Sequence, residues 1–151
     1  MSGAPERGKQ QVAALCWRAD TALDVLLVTS LKTQRWILPK GWPEPELGPA
    51  DNAAREAFEE AGVMGKISPE PIGSYHYLKE KKDGGGIPCS VEVFALEVTK
   101  QLDDWPEKSS RQLAWLPLDQ AAARVVEPSL RQMIKDFRKP QSARARRSAP
   151  G

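Results

Sequence analysis

Glu56, Glu59 and Glu60 stand at i, i+3 and i+4 in the segment AAREAFEEAG, whose composition suits a helix. At the helical period their carboxylates fall within roughly 100° of arc, in one sector. Three like charges so close raise one another's pKa and do not stabilise a helix. A divalent cation would remove the conflict, because Mg²⁺ takes oxygen ligands in octahedral geometry and usually keeps several waters. Arg55, four residues before Glu59, carries the forked guanidinium that can hold a carboxylate. A bare E-x-x-E-E is also what an ordinary solvated helix face shows, since glutamate is a common surface residue.

The surrounding residues decide between the two. Gly41 lies fourteen positions before Arg55, and Gly62 and Val63 follow Glu60 at fixed spacing. Six such identities arise by chance on the order of 10⁻⁵ times per chain of this length. The stretch from Gly41 through Arg55, Glu56, Glu59, Glu60 and Gly62 to Val63 resembles the Nudix box, G-x5-E-x7-R-E-U-x-E-E-x-G-U, where U is aliphatic. Leu47 stands where the early glutamate belongs, with Glu44 and Glu46 close by as substitutes, and Ala57 takes a U position. The resemblance extends over about residues 9–137. ALCWR at 14–18, DVLLVTS at 24–30, RWILP at 35–39, EPE at 44–46, LDDW at 102–105 and Trp115 are similar to the diphosphoinositol polyphosphate phosphohydrolase branch of the family. Lys9 fits the basic residues that branch places before its first strand, whereas Gln11 stands at an expected arginine. An inositol pyrophosphate needs dense positive charge; a dinucleoside polyphosphate needs less.

The resemblance implies a hydrolase of phosphoric anhydride bonds that uses Mg²⁺ or Mn²⁺ and cleaves a dinucleoside polyphosphate or diphosphoinositol polyphosphate type of substrate by attack of water on phosphorus. Carried over residue by residue, Glu59 and Glu60 are metal ligands, Glu56 is a ligand or the base that deprotonates the water, and Arg55 orients a glutamate. The Lys40 carbonyl is placed to complete the metal shell, and Gly41 permits a tight approach. The expected substrate-binding set is Lys9, Arg18, Lys32, Arg35, Lys40, Gly41 and Trp42. Trp42 either stacks on a base or ring or caps the core. Two other functions compete: removal of pyrophosphate from RNA 5′ ends or hydrolysis of damaged nucleotides, and a non-catalytic Nudix-like ligand sensor. Leu47 is the only support for the sensor, and the retained Arg55, Glu56, Glu59 and Glu60 argue against it.

The elements that must position these groups follow from patterning. QVAALCW at 11–17 and DVLLVT at 24–29 read as a hairpin around a turn at 18–21. WILP at 36–39 is a further extended piece, since Pro39 biases Leu38 away from helix. The helix starts at Pro49, has Asp51 in its first turn, and ends at Gly62. Its apolar stripe is expected to be Ala54, Ala57, Phe58 and Ala61. Strands follow at 72–78, 90–99 and 114–116, the first two joined through Asp83-Gly84-Gly85-Gly86. Helices are expected over 118–126 and 129–137, the second with a stripe of Leu130, Met133, Ile134 and Phe137. The order predicts an α/β fold, and with the resemblance a Nudix-type α/β/α sandwich around a central mixed sheet.

With 151 residues, the chain is expected to be one domain over 9–138, a flexible 1–8 segment and a basic, disordered 139–151 tail. The net charge of +2 from 22 basic and 20 acidic residues is unevenly spread. Five basic residues and no acid lie in 138–151, leaving 17 against 20, a net of −3, for the rest. The tail either contacts RNA or is simply solvated. No run approaches the length of a membrane span, and a cytoplasmic protein, monomer or homodimer, is expected. The resemblance implies a phosphorylated small-molecule substrate. Cys16 and Cys89 are too far apart in sequence for a metal-binding CxxC and are expected as buried reduced thiols. His76, the only histidine, is expected at a structural or rim position. Glu92 either faces solvent or reaches the metal across the sheet.

Overall fold

The computed structural model describes residues 10–20, 22–80 and 83–138. Lys9 and the expected end segments 1–8 and 139–151 lie outside the described residues.

The strands are β1 (Gln10–Ala19), β2 (Leu23–Thr29), β3 (Trp36–Ile37), β4 (Lys40–Gly41), β5 (Val63–Ile67), β6 (Gly73–Glu80), β7 (Gly86–Gln101) and β8 (Leu113–Pro117). The helices are α1 (Pro49–Ala61), α2 (Leu118–Arg124) and α3 (Pro128–Asp136). All eight strands join one mixed sheet. Its centre is the parallel pair β1–β7, running from Gln10 opposite Ser90 to Trp17 opposite Glu97. Seven consecutive residues of β1, Gln11 to Trp17, are buried, as a strand covered on both faces requires.

α1 covers one face of the sheet. Ala53, Ala57 and Ala61 pack there with Val12, Cys16, Leu26, Phe94 and Leu96. α2 and α3 cover the other, where Leu130, Ile134 and Phe137 meet Leu15, Trp17, Tyr75 and Val93. The α/β/α sandwich is therefore as expected, and so is the stripe on α3.

Three expectations change. The β1–β2 hairpin pairs only at its closed end, Trp17 to Ala19 with Leu23 to Val25. Further back β1 pairs with β4, Val12 opposite Gly41 and Ala13 opposite Lys40. β4 and β5 were not anticipated. β4 has two residues, and β5 reads VMGKI, short and interrupted by Gly65 at a bulge against β7. Finally, α1 is rotated from the expected stripe. Ala53, Ala57, Glu60 and Ala61 are buried, while Ala54 and Phe58 are only half-buried. The three alanines let the helix lie close to the sheet, and this rotation brings Glu60 inward.

Candidate active site

The peptide of Lys40 meets α1 directly. Its N–H donates to Glu60 Oε1 at 3.3 Å. Glu60 is only 4% exposed, and its Oε2 lies 3.5 Å from Arg111 Nη2. Glu56 stands four residues before Glu60 on α1, and its carboxylate adds negative charge beside that of Glu60. A Cβ at residue 41 would collide with the Glu56 carboxylate, so glycine there makes the room. Burial pushes the Glu60 carboxyl up to about 8; Glu56 and Glu107 add to the rise, and Arg111 opposes it. Glu56 is also raised, first by burial and further by Glu59 and Glu107.

Glu59 points elsewhere. Arg55 Nε lies 3.4 Å from Glu59 Oε2, and Arg55 Nη1 lies 3.7 Å from Glu44 Oε1. Glu44 thus stands beside Arg55 in a motif whose early glutamate is replaced by Leu47. Asn52, fully buried at the start of α1, fixes the loop that carries Glu44. Its Oδ1 accepts the Glu44 N–H at 2.9 Å, and its Nδ2 donates to the carbonyls of Glu44, Leu47 and Gly48.

Glu56 and Glu60 therefore stand together next to Lys40 and Gly41, with Glu59 turned to Arg55. Among the described residues no three His, Cys, Asp or Glu side chains are grouped as a metal site. The pair itself fits a divalent cation. It offers hard oxygen donors on one turn of α1, beside a position kept free of a Cβ.

A second layer holds this pair, built from the segment between β7 and β8. Leu102 N–H donates to Gly62 O at 2.8 Å, and Glu107 N–H to Glu59 O at 3.0 Å. Gln101 Nε2 reaches the carbonyls of Ala61 and Gly62. These bonds satisfy acceptors that a helix end leaves free. Gly62 caps α1 at φ 67°, with its N–H on Phe58 O, and the Trp105 ring lies where a Cβ would project. The Arg111 side chain is 9% exposed, its Nε 2.7 Å from Glu107 Oε1 and its Nη1 2.9 Å from Thr29 O. One buried guanidinium thus joins α1, the end of β2 and the segment before β8. Nothing in the sequence singled it out, because a lone arginine in an aperiodic polar stretch has no pattern.

A cleft of about 280 Å³ opens beside Glu60, lined by residues 30–33, 35, 37, 40, 77–79 and 111. Lys32, Arg35 and Lys40 of the expected substrate-binding set are in the lining, together with Tyr77, Lys79 and Arg111. Burial holds the Lys40 ammonium below the usual lysine range, against the pull of Glu60. Its Nζ lies 4.8 Å from the centre of the Tyr77 ring. The Tyr77 hydroxyl donates to Gln11 Oε1 at 2.5 Å. The other candidates lie outside this lining. Arg18 stacks its guanidinium 4.0 Å above the Trp115 ring, and Trp42 is 43% exposed. His76 is exposed within β6, opposite Ser90, and its N–H donates to Ser129 Oγ at 3.4 Å. Glu92 is half-buried on β7 opposite Val12 and Ser74. Cys16 and Cys89 are buried free thiols. A wider groove of about 630 Å³ between β6 and α3 contains no residue of the glutamate motif.

The chain is similar to known proteins. Residues 9–137 match the NUDIX domain. Diphosphoinositol polyphosphate phosphohydrolase 3-beta of Bos taurus is 38% identical over 120 residues, 78% of this chain and 69% of that protein. Among solved structures, an Ap4A hydrolase binary complex from C. elegans superposes with a TM-score of 0.64 at 19% identity, over 83% of this chain and 92% of that one. A NUDIX hydrolase from Nitrosomonas europaea gives 0.64 at 24% identity, over 85% and 86%. The two structures attest the fold. The chain belongs to the Nudix family of hydrolases, with motif residues Arg55, Glu56, Glu59 and Glu60 on α1.

Proposed function

We propose that the protein is a pyrophosphohydrolase, using Mg²⁺ with Mn²⁺ as an alternative, on a dinucleoside polyphosphate or diphosphoinositol polyphosphate type of substrate in the cytoplasm. The observation that carries this is the Glu56–Glu60 pair beside a cleft lined by Lys32, Arg35, Lys40 and Lys79. The cations provide a path for a phosphate chain, which ends at carboxylates able to hold a cation. The Bos taurus relative's name supports the same substrate chemistry. No described helix is long and apolar enough to cross a membrane.

When bound, a divalent cation neutralises phosphate oxygens and makes a nearby water more acidic. The protein's own groups do the rest. Lys32, Arg35 and Lys79 bind phosphate oxygens and align the chain of anhydrides. Glu60 is held by the Lys40 N–H and Arg111, and serves as an oxygen donor to the cation. Glu56, on the same turn, donates an oxygen or takes a proton from the attacking water. Arg55 keeps Glu59 oriented as the outer carboxylate. The new bond joins water oxygen to phosphorus, the anhydride oxygen leaves with the bond electrons, and the water proton passes to the base.

Release of phosphate or nucleotide from a substrate panel, with and without Mg²⁺, tests this. Glu56→Gln is expected to lower kcat by about 10²–10⁴-fold, the range for a general base. Turnover untouched by Glu59→Gln or by Glu60→Gln would overturn the roles given to those residues.

A further inference from the structure

We propose that Arg111 is a positioning residue that ties Glu60 to the loop Ser30–Arg35, so that one side chain sets both the cation-holding carboxylate and the direction of Lys32 and Arg35. The inference rests on the pyrophosphohydrolase reading and assigns within it a residue that acts through others. The loop, which joins β2 to β3, is tied to itself. Ser30 N–H donates to Arg35 O at 2.8 Å, Gln34 N–H to Ser30 O at 3.1 Å and Arg35 N–H to Ser30 Oγ at 3.0 Å. The hydroxyls of Ser30 and Thr33 lie 2.7 Å apart. Gln34 takes φ 57°, a left-handed conformation uncommon for a residue with a side chain. These bonds fix the shape of the loop but not its direction.

Direction is set at the base, by the buried Thr29. Its carbonyl accepts Arg111 Nη1 at 2.9 Å, its Oγ1 accepts the Gln112 N–H at 2.9 Å, and its own N–H donates to Gln112 O at 3.1 Å. The same guanidinium places Nη2 3.5 Å from Glu60 Oε2 and Nε 2.7 Å from Glu107 Oε1. A planar guanidinium holds several acceptors in a fixed relation, whereas a lysine ammonium is a point charge on a flexible stem. Arg111 thus fixes Glu60 relative to a loop whose Lys32 and Arg35 line the cleft. A phosphate chain must meet both at once, and a misplacement of about 1 Å costs roughly a hundredfold in rate.

Arg111→Lys in the full chain keeps the charge and removes the fork. The Mn²⁺ dissociation constant of the metal-free protein, read by calorimetry, is expected to rise about tenfold, the scale for a residue that orients a metal ligand. A double-mutant cycle reads the loop, with KM measured on a dinucleoside tetraphosphate, or on a diphosphoinositol polyphosphate if that is the compound turned over. Lys32→Ala should raise KM about tenfold in wild type, the scale for a lost charged hydrogen bond. In the Arg111→Lys background it should raise KM by about twofold or less, because the loop that aims Lys32 is already released. Lys79→Ala, on β6 and outside the loop, should raise KM by the same factor in both backgrounds. An unchanged Mn²⁺ affinity, or an equal effect of Lys32→Ala in both backgrounds, overturns the tie and leaves the pyrophosphohydrolase reading standing. Should Arg111→Lys not fold, Thr29→Val replaces it, since it removes only the acceptor of the Gln112 N–H. KM is then expected to rise about two- to tenfold with Mn²⁺ affinity unchanged, and an unchanged KM overturns the tie. Turnover of neither compound by wild type overturns the pyrophosphohydrolase reading; calorimetric binding of methylenediphosphonate with Mn²⁺ then takes the place of KM in the same cycle and decides the tie alone.

Discussion

Glu60 is a carboxylate that the fold has nearly removed from water, and its protonation links stability to pH. Its folded pKa lies near 8, above the ordinary carboxylate range that it regains on unfolding. In the metal-free protein the folded state therefore holds more protons between the two values. The resulting stabilisation is fully present below the ordinary carboxylate range and is lost as pH rises toward 8. Thermal melts of the metal-free protein, taken as the difference between wild type and Glu60→Gln, are expected to show a falling contribution across that window. Saturating Mn²⁺ should reverse the slope, because a cation competes with protons for the same oxygens. Arg111 is the complementary case. Arg111→Met removes the buried bonds to Glu107 Oε1 and Thr29 O and the contact with Glu60, and is expected to destabilise the fold by about 1–3 kcal/mol, read by urea unfolding. Of these two residues only Glu60 was legible in the sequence, because its spacing from Glu56 and from Gly62 is fixed. Arg111 becomes visible only when the chain brings β2, α1 and the approach to β8 together.

At the scale of elements, α1 was the most legible piece, from Pro49 at its start to Gly62 at its end. Its rotation was not, since Ala53 and Ala54 are equivalent on an average apolar pattern. The choice between them is made by the partner surface, where Lys40 offers an N–H to Glu60. The ends of the helix give two measurable outcomes. Gly62→Ala must take the left-handed conformation and push against Trp105, and is expected to cost more than about 1 kcal/mol, a drop of several degrees in melting temperature. Asn52→Ala removes the four bonds that set the loop of Glu44, leaves buried backbone groups unpaired, and should cost about 1–3 kcal/mol. The same variant should lower kcat if the loop orients Arg55, so activity and stability are measured together. β4 and β5 were unreadable for a simple reason. Each is too short to show a period of two, and both are strands only because a longer neighbour offers them hydrogen bonds.

For the whole molecule, alternation of strands and helices was enough to give the layered architecture, while the order of strands within the sheet was not deducible. The charge division concerns the molecule as well. Removing residues 139–151 takes away Lys139, Arg144, Arg146 and Arg147. Turnover of small substrates is expected to stay within about twofold. Turnover of RNA 5′ ends, if the tail contributes to it, should weaken and lose part of its salt dependence, as follows when phosphate contacts are removed. The central pair of the sheet has a different consequence. β1 is aligned alongside β7, with Gln10 opposite Ser90, so its principal partner is synthesised some eighty residues later. A nascent chain must therefore present a strand whose residues Gln11 to Trp17 are destined for burial until most of the domain has emerged, and long-range pairing of this kind is slow to form. The protein is thus one whose birth depends on timing: fragments that stop before β7 should be captured by chaperones or degraded, however well α1 and its glutamates are formed.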